Sequence, residues 1–174
     1  HLESLWRGLR CNSIYETHAL KVFLSSSRWA GSLMLGFGGL GTTGGLLDYA
    51  PLLRLLENEF KRSRLERAIS SGALHALCIT ASSYSQGVAV TFFEGAEGIP
   101  EWQRARRQGQ RAQLGPMHLL ASSALSFAFA SVEIDGEYFG DGSLRSTSPL
   151  SPAIRTGANR MLVIGTRDPF HQTR

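Results

Sequence analysis

A single carboxylate between two glycines is the pattern in this sequence that most directly suggests chemistry. Asp141 lies between Gly140 and Gly142, after the stretch VEIDGEYF and before a segment that predicts a helix. In α/β folds, ligand-contacting residues lie at the ends of strands, and flanking glycines let a second backbone or a substrate approach closely. Asp141 is therefore a candidate catalytic residue. The alternative is an aspartate that only bonds its own backbone, as in most Asp-Gly turns.

His118 and Ser122 form a second candidate pair. They are four residues apart, so they share one face if this segment is helical. A working nucleophile also needs oxyanion donors and a third group that orients the base. The neighbouring sequence supplies neither, and its leucines and alanines indicate core packing. We interpret this pair, and also His75 at the start of a predicted strand, as structural.

The glycine-rich segment at residues 36–45 contains a literal G-x-G-x-x-G at Gly36, Gly38 and Gly41. A dinucleotide fingerprint needs a strand before this motif and a helix directly after it. Here the next predicted helix begins only near Asp48, and no lysine follows the last glycine as in a phosphate-binding loop. We interpret the segment as a mobile surface loop or lid. Nucleotide binding is a weaker hypothesis, which a nucleotide titration would test.

The net charge of +4 is concentrated in EWQRARRQGQR, which contains Arg104, Arg106, Arg107 and Arg111. The simplest interpretation is a solvated helix face or loop. Contact with anionic lipid headgroups is the alternative. Only Trp102 lies among these arginines, which argues against nucleic acid as a partner.

Composition and length favour one soluble globular domain. The 174 residues are 43% hydrophobic and 18% charged, and a chain of this length has room for one core. Cys11 and Cys78 are far apart and lack metal-ligand spacing, so neither a zinc site nor a disulfide framework is predicted. No apolar run approaches the roughly 20 residues that span a bilayer.

The apolar spacing predicts helices over about the first 30 residues and again after Asp48 and Pro51. A further helix is predicted to open at Ser63, where Ser63 and Glu66 have the capping-box pattern, and to end at Gly72. Residues 148–157 predict another helix, from Ser-Pro to glycine.

Strands are predicted for LHALCITAS and GVAVTFF, and Asp135-Gly136 predicts a type I′ turn that joins two strands. RMLVIG, at residues 160–165, predicts a strand buried in a parallel sheet. Alternation of strands and helices indicates a layered α/β domain.

Four blocks in this order give the chain a resemblance to the patatin-like phospholipases. They are GGLLDYAPLLRLL, GALHALCITASSYSQGVAVTFFEG, HLLASSALSFAF and VEIDGEYFGDGSLRSTSPLSPAIRTGANRMLVIGT, and the last is the most specific. The resemblance implies an incomplete three-layer α/β domain with a mostly parallel sheet. Residues 1–174 would form this single domain, with a variable helical region at about 1–35 and a core at about 44–166.

The resemblance also implies a lipid acyl hydrolase with a Ser–Asp dyad. In this family the serine lies in a G-x-S-x-G elbow, a glycine-rich loop with an arginine binds the oxyanion, and the aspartate of a D-G-[GA] motif accepts the serine proton. Asp141-Gly142-Ser143 corresponds to that motif, with serine as a small third residue. Asp141 is thereby implied as the general base, and no metal or cofactor is implied.

Departures from the family pattern are equally informative. G-x-S-x-G does not occur in the sequence, and the loop at 36–45 lies on the wrong side of the expected serine and lacks the arginine. We expect both elements upstream of His1, so that the full-length protein is active and this part alone is inactive. Ser126 and Ala130 also stand where the family commonly has proline.

The expected partners are a lipid or acyl ester substrate and, peripherally, an anionic membrane surface, with a cytoplasmic or membrane-peripheral location. A rival hypothesis is a non-catalytic lipid-binding or interaction domain that lacks the nucleophile. The residues leave the acyl chain, the headgroup, the substrate-binding residues and the oligomeric state open.

Overall fold

The computed structural model describes residues 48–125, 128–145 and 150–164, together with residue 3 and residues 7–9. The helices of these ranges are α1 (Ala50–Glu59), α2 (Arg62–Ser70), α3 (Pro116–Ser123) and α4 (Leu150–Arg155), with a 3₁₀ turn at Gly142–Leu144. The strands are β1 (Ala76–Ser83), β2 (Ala89–Gly95), β3 (Trp102–Arg104), β4 (Arg107–Arg111), β5 (Val132–Ile134) and β6 (Glu137–Asp141). The predictions for residues 1–35 and 36–45 fall almost wholly outside the described residues.

The six strands form one mixed sheet in the order β3-β4-β2-β1-β6-β5. The predicted α/β class is confirmed. The prediction of a mostly parallel sheet is wrong for the described strands, because only β2 and β4 pair in parallel while the other four pairings are antiparallel. The short connections after β1, β3 and β5 explain this, since they can join only antiparallel neighbours.

Local turn chemistry sets the β5–β6 hairpin as predicted. Asp135 has a φ of 51° and Gly136 has a φ of 78°, and two successive positive φ values are what a type I′ turn requires. The register pairs Val132 with Phe139, so both side chains enter the core.

A second hairpin contradicts the prediction for the arginine-rich segment. β3 and β4 pair around a turn at Ala105 and Arg106, where a helix face or loop was expected. The physical reason is the packing of Trp102, which the spacing of residue types along the sequence does not reveal. Trp102 lies over Gly109, where a Cβ would overlap the indole ring, and it stacks on Phe93 with ring centroids 5.2 Å apart.

The first helix begins as the sequence predicts, and the second does not. Asp48 Oδ1 accepts a hydrogen bond from the Ala50 N–H at 2.9 Å, and a proline lies in the first turn of α1, as predicted. α2 begins at Arg62, so the predicted capping box at Ser63 is wrong. Its Glu66 carboxylate binds Arg62 Nε instead, at 2.9 Å. Gly72 follows α2 with a φ of 74°, as predicted.

The core lies between one face of the sheet and α3, with α1 and α2 packed against it. Phe92 is at its centre, in edge-to-face contact with Phe139 at 5.2 Å and with the His118 ring at 4.8 Å. Burial of aromatic and aliphatic surface is the main stabilising term here. The other buried members of this cluster are Leu65, Ile79, Ala81, Val90, Leu114, Leu120, Ala121, Ala124 and Val132.

One ion pair connects α2, β2 and the entry to α3. Arg62 binds the Glu94 carboxylate through two nitrogens and donates to the Leu114 carbonyl at 3.0 Å. The Leu114 N–H donates to Glu94 at 2.8 Å. Burial raises the pKa of Glu94, but the hydrogen bonds from Arg62 and Leu114 outweigh it, and the pKa of this carboxyl is lowered.

The beginning of β6 is fixed by the turn between β1 and β2. The Glu137 carboxylate accepts hydrogen bonds from Ser83 Oγ at 2.5 Å, Ser85 Oγ at 2.6 Å and Gln86 Nε2 at 3.1 Å. This polar cluster joins the β1–β2 turn to the strand that ends at Asp141.

The prediction of a buried strand at residues 160–165 is not met by the residues that are described. Met161, Leu162, Val163 and Ile164 have no regular secondary structure, and their exposed fractions are 47%, 89%, 65% and 88%. The reason is that no described strand pairs with them. Four consecutive exposed apolar residues are unusual for a soluble protein.

Candidate functional site

Asp141 ends β6, and its main chain is held from two sides. Its N–H donates to the Ala124 carbonyl, just after α3, at 2.8 Å. Its carbonyl accepts from Ser82 Oγ of β1 at 2.8 Å. The register of β6 against β1 also pairs Asp141 with Ala81. The backbone of the candidate residue is therefore fixed by the sheet and by α3 together.

The half-buried side chain of Asp141 bonds within its own turn. Oδ1 accepts from the Ser143 N–H at 2.9 Å, and Oδ2 accepts from Ser143 Oγ at 2.7 Å. The first of these is the local bond that a structural turn aspartate makes, and it caps the 3₁₀ turn. Each carboxylate oxygen has a second lone pair, so a further donor can still be accepted.

Of the two glycines that flank Asp141, Gly142 is required by main-chain packing, and Gly140 lies against a side chain. A Cβ on Gly142 would overlap the Thr80 carbonyl oxygen, and a Cβ on Gly140 would overlap the Tyr84 hydroxyl. The close approach of a second backbone, which the sequence predicts for this pattern, is thus made by β1 at Thr80. The glycines let the end of β6 lie directly against β1.

An open cleft of about 1010 Å³ lies beside Asp141. Its walls are one edge of β1, α3, the 3₁₀ turn and the end of α4, and they are mainly apolar. Asp141 lies toward the Thr80 end, since it pairs with the next residue of β1. The lining includes Leu74, His75, Ala76, Leu77, Cys78, Ile79, Thr80, Leu119, Ser122, Asp141, Gly142, Ser143, Pro152, Ala153, Thr156, Gly157 and Ala158.

His118 and Ser122 do not act on each other. Ser122 Oγ donates to the Thr80 carbonyl at 2.8 Å, and His118 Nδ1 accepts from the Gly115 N–H at 3.2 Å. Each side chain satisfies a backbone group, His118 at the start of α3 and Ser122 within β1. Their roles in this geometry are structural.

Cys78 lines the cleft, and sequence alone indicated only a small apolar residue there. Burial raises the pKa of its thiol, and a hydrogen bond with Thr156 of the α4 end acts in the opposite direction. No sequence signal connects these two residues, because the contact depends on how α4 returns across the sheet. Cys78 is a neutral thiol at pH 7, which makes it a lining residue rather than a nucleophile.

Within the described ranges, no three His, Cys, Asp or Glu side chains converge to hold a metal ion. Nor is any helix found there long and apolar enough to cross a membrane.

His118 makes the stability of the domain depend on pH. Burial lowers the pKa of its imidazole, although the Asp135 and Glu94 carboxylates act in the opposite direction. In the unfolded chain the imidazole titrates near pH 6.5, so the unfolded state binds more protons just below that pH. We expect the melting temperature to fall as the pH drops from 7.5 to 5, as measured by circular dichroism.

The matched variant for this effect is His118→Gln. Gln at this third helical position can still accept from the Gly115 N–H, as in a capping box, but it does not titrate. We expect the variant to be less stable at pH 7.5, because the ring contact with Phe92 is lost, and to show a flatter pH profile between 7.5 and 5. An unchanged slope would contradict the role of His118.

Comparison with known proteins gives one match. The sequence model of the family described as patatin-like phospholipase matches residues 2–154. No curated protein and no solved structure matches the chain.

Proposed function

We propose that this chain, which belongs to the patatin-like phospholipase family, supplies the general base of a lipid acyl hydrolase. Asp141 would be the carboxylate of a Ser–Asp dyad. The observation that supports this is its place in a mainly apolar cleft, with lone pairs available to a further donor. G-x-S-x-G does not occur in residues 1–174, so the serine and the oxyanion donors would come from a segment outside them.

The proposed reaction has two steps that use the same carboxylate. Asp141 accepts the proton of the serine hydroxyl as Oγ attacks the ester carbonyl carbon, and backbone N–H groups stabilise the oxyanion. The tetrahedral intermediate collapses to an acyl-enzyme, and the leaving alcohol takes the proton from Asp141. Water then gives a proton to Asp141 and attacks the acyl-enzyme. The fatty acid leaves, and the serine recovers its proton.

Residues of this chain would orient the base and receive the acyl chain. The Ser143 N–H fixes Oδ1, which limits rotation of the carboxylate. The apolar lining next to it, which includes Leu77, Ile79 and Leu119, suits an alkyl chain because burying apolar surface is favourable. Such a site would favour an ester of a long-chain alkyl acid over an ester of a polar acid.

The test is a chain extended upstream of His1 by its natural coding sequence. We expect it to hydrolyse a p-nitrophenyl acyl ester and phospholipid in vesicles, whereas residues 1–174 alone do not. A fluorophosphonate probe should label one serine, located by mass spectrometry upstream of His1. Labelling of a serine within residues 1–174, or an extended chain without hydrolysis, would contradict the proposal.

A second candidate function, binding to anionic lipid surfaces, is favoured by the β3–β4 turn. Arg104, Arg106 and Arg107 are all exposed there, at the edge of the sheet. Arg111 differs, because it donates to the carbonyls of Gly95, Ala96 and Ile99. Three exposed guanidinium groups on one tight turn suit phosphate headgroups.

Co-sedimentation with vesicles tests this second function. Changing Arg104, Arg106 and Arg107 to Gln should reduce binding to phosphatidylserine vesicles at least tenfold, since each basic residue contributes roughly 1 kcal/mol near such a surface. The control changes three arginines of α1 and α2 (Arg54, Arg64 and Arg67) to Gln, with the same loss of charge. Equal losses in both variants would contradict a localised surface.

A further inference from the structure

Ser143 binds both oxygens of the Asp141 carboxylate. Its N–H donates to Oδ1 at 2.9 Å, and its hydroxyl donates to Oδ2 at 2.7 Å. Any residue except proline can supply the first bond at this position, whereas the second bond requires a hydroxyl. The D-G-[GA] pattern has glycine or alanine here, and the N–H bond already caps the 3₁₀ turn. The bond from the hydroxyl to Oδ2 is therefore an addition to that pattern.

The main chain of Asp141 has little freedom to move. Its N–H is bonded to the Ala124 carbonyl and its carbonyl to Ser82 Oγ, both at 2.8 Å, and rotation of its side chain would break the bond to Oδ1. The proposed reaction asks this carboxylate to accept a proton from the nucleophile oxygen and to deliver it to a second oxygen, that of the leaving alcohol. Proton transfer needs hydrogen-bond distance, directly or through one intervening group. A group that bridges Asp141 and the leaving oxygen removes the need for the carboxylate to move.

The Ser143 hydroxyl has the properties of such a bridge. Its residue is exposed and lines the cleft together with Asp141. A serine hydroxyl has one proton to donate and two lone pairs that accept, and its O–H rotates. Ser143 Oγ can therefore accept a proton from Oδ2 while it donates its own proton into the cleft. Ser122 lines the same cleft, but its hydroxyl is bonded to the Thr80 carbonyl at 2.8 Å.

We propose that Ser143 passes the proton from Asp141 to the leaving alcohol, an inference that rests on the proposed function. As the bond between the carbonyl carbon and the leaving oxygen breaks, Ser143 Oγ gives its proton to that oxygen. At the same time it takes the proton that Oδ2 received from the nucleophile. Asp141 is then a carboxylate again, and Ser143 is unchanged. The relay favours esters of alkyl alcohols, such as glycerol esters, because an alkoxide must be protonated to leave.

The test compares two esters of the same fatty acid in the upstream-extended protein. One is an alkyl ester, and the other is a p-nitrophenyl ester, whose leaving group departs as a stable anion without a proton. Ser143→Ala keeps the N–H bond to Oδ1 and removes the relay. We expect its kcat/KM, which reports the steps up to the acyl-enzyme, to fall at least about tenfold for the alkyl ester and to stay within about twofold for the p-nitrophenyl ester. The loss is at the low end for a proton-transfer group because a water can replace the hydroxyl.

Two further variants separate the relay from a structural role. Ser143→Thr keeps the hydroxyl and should restore hydrolysis of the alkyl ester. Ser122→Ala removes a hydroxyl from the same cleft and should leave the ratio of the two kcat/KM values unchanged. Equal losses on both esters in Ser143→Ala, or no loss on either, would overturn the relay and leave the base role of Asp141 standing. Hydrolysis of neither ester by the unaltered extended protein would overturn the proposed function itself.

Discussion

Replacing Asp141 with Asn should lower the kcat of the upstream-extended protein by roughly 10²–10⁴-fold, the usual contribution of a general base. Asn has the same shape, and its carbonyl oxygen can still accept from the Ser143 N–H that now bonds Oδ1 at 2.9 Å. The turn should therefore persist while the ability to accept the serine proton is lost. Initial rates of ester hydrolysis and the melting temperature separate the two effects.

The matched control is Asp135→Asn, the same substitution six residues earlier. Asp135 is exposed and has a φ of 51° in the hairpin turn, a conformation that Asn tolerates well. We expect its activity to stay within about twofold of the unchanged protein, far less than the roughly 10²–10⁴-fold loss that follows removal of a general base. Retained activity in Asp141→Asn, or an equal loss in both variants, would refute the role of Asp141 as the base.

Arg62→Met should lower the free energy of unfolding by about 3 kcal/mol, the lower end of the range for breaking a buried pair. The low end applies because the Arg62 side chain is 31% exposed, while that of Glu94 is 16% exposed. The variant leaves the Glu94 carboxylate without its guanidinium partner and the Leu114 carbonyl without the donor at 3.0 Å. Urea denaturation at pH 7 measures the difference.

Arg64→Met is the control for this prediction, since Arg64 is an exposed residue of the same helix. We expect a change within about 0.5 kcal/mol, as for most surface substitutions. The double variant Arg62→Met/Glu94→Gln should recover part of the loss, because it removes the unpaired charge. Equal destabilisation by Arg62→Met and Arg64→Met would show that the ion pair contributes little.

Features set by local chemistry were predictable from the sequence. The type I′ hairpin follows from Asp135-Gly136, because only residues that tolerate positive φ form it. Gly72 after α2 and the start of α1 near Asp48 are likewise consequences of neighbours in the chain. In each case the deciding interaction spans only a few residues.

Features set by contacts between residues far apart in the chain were not predictable from the sequence. The β3–β4 hairpin depends on Trp102 packing over Gly109 and on a parallel pairing of β4 with β2, and neither leaves a periodic signal in EWQRARRQGQR. The mostly parallel sheet was an expectation from family resemblance. The pairings themselves correct it, because the sequence does not state which strands become neighbours.

Of the candidate site, too, one part was predictable from the sequence and another part was not. Asp141 was identified from its flanking glycines and from the family motif, and its catalytic role stays a prediction. The cleft beside it was not predictable, since Ser122 and Thr80, which are 42 positions apart, meet only in the folded chain. The same is true of the contact between Cys78 and Thr156.

The two main-chain bonds of Asp141, to the Ala124 carbonyl and from Ser82 Oγ, have a dynamic consequence. Any motion that displaces the main chain of Asp141 must detach the last residue of β6 from β1 and from the chain after α3 at once. Its amide proton should therefore exchange with solvent only when the surrounding sheet opens as a unit. If the main chain of Asp141 stays fixed, the entry and exit of ligand would have to be accommodated by motion in other parts of the protein.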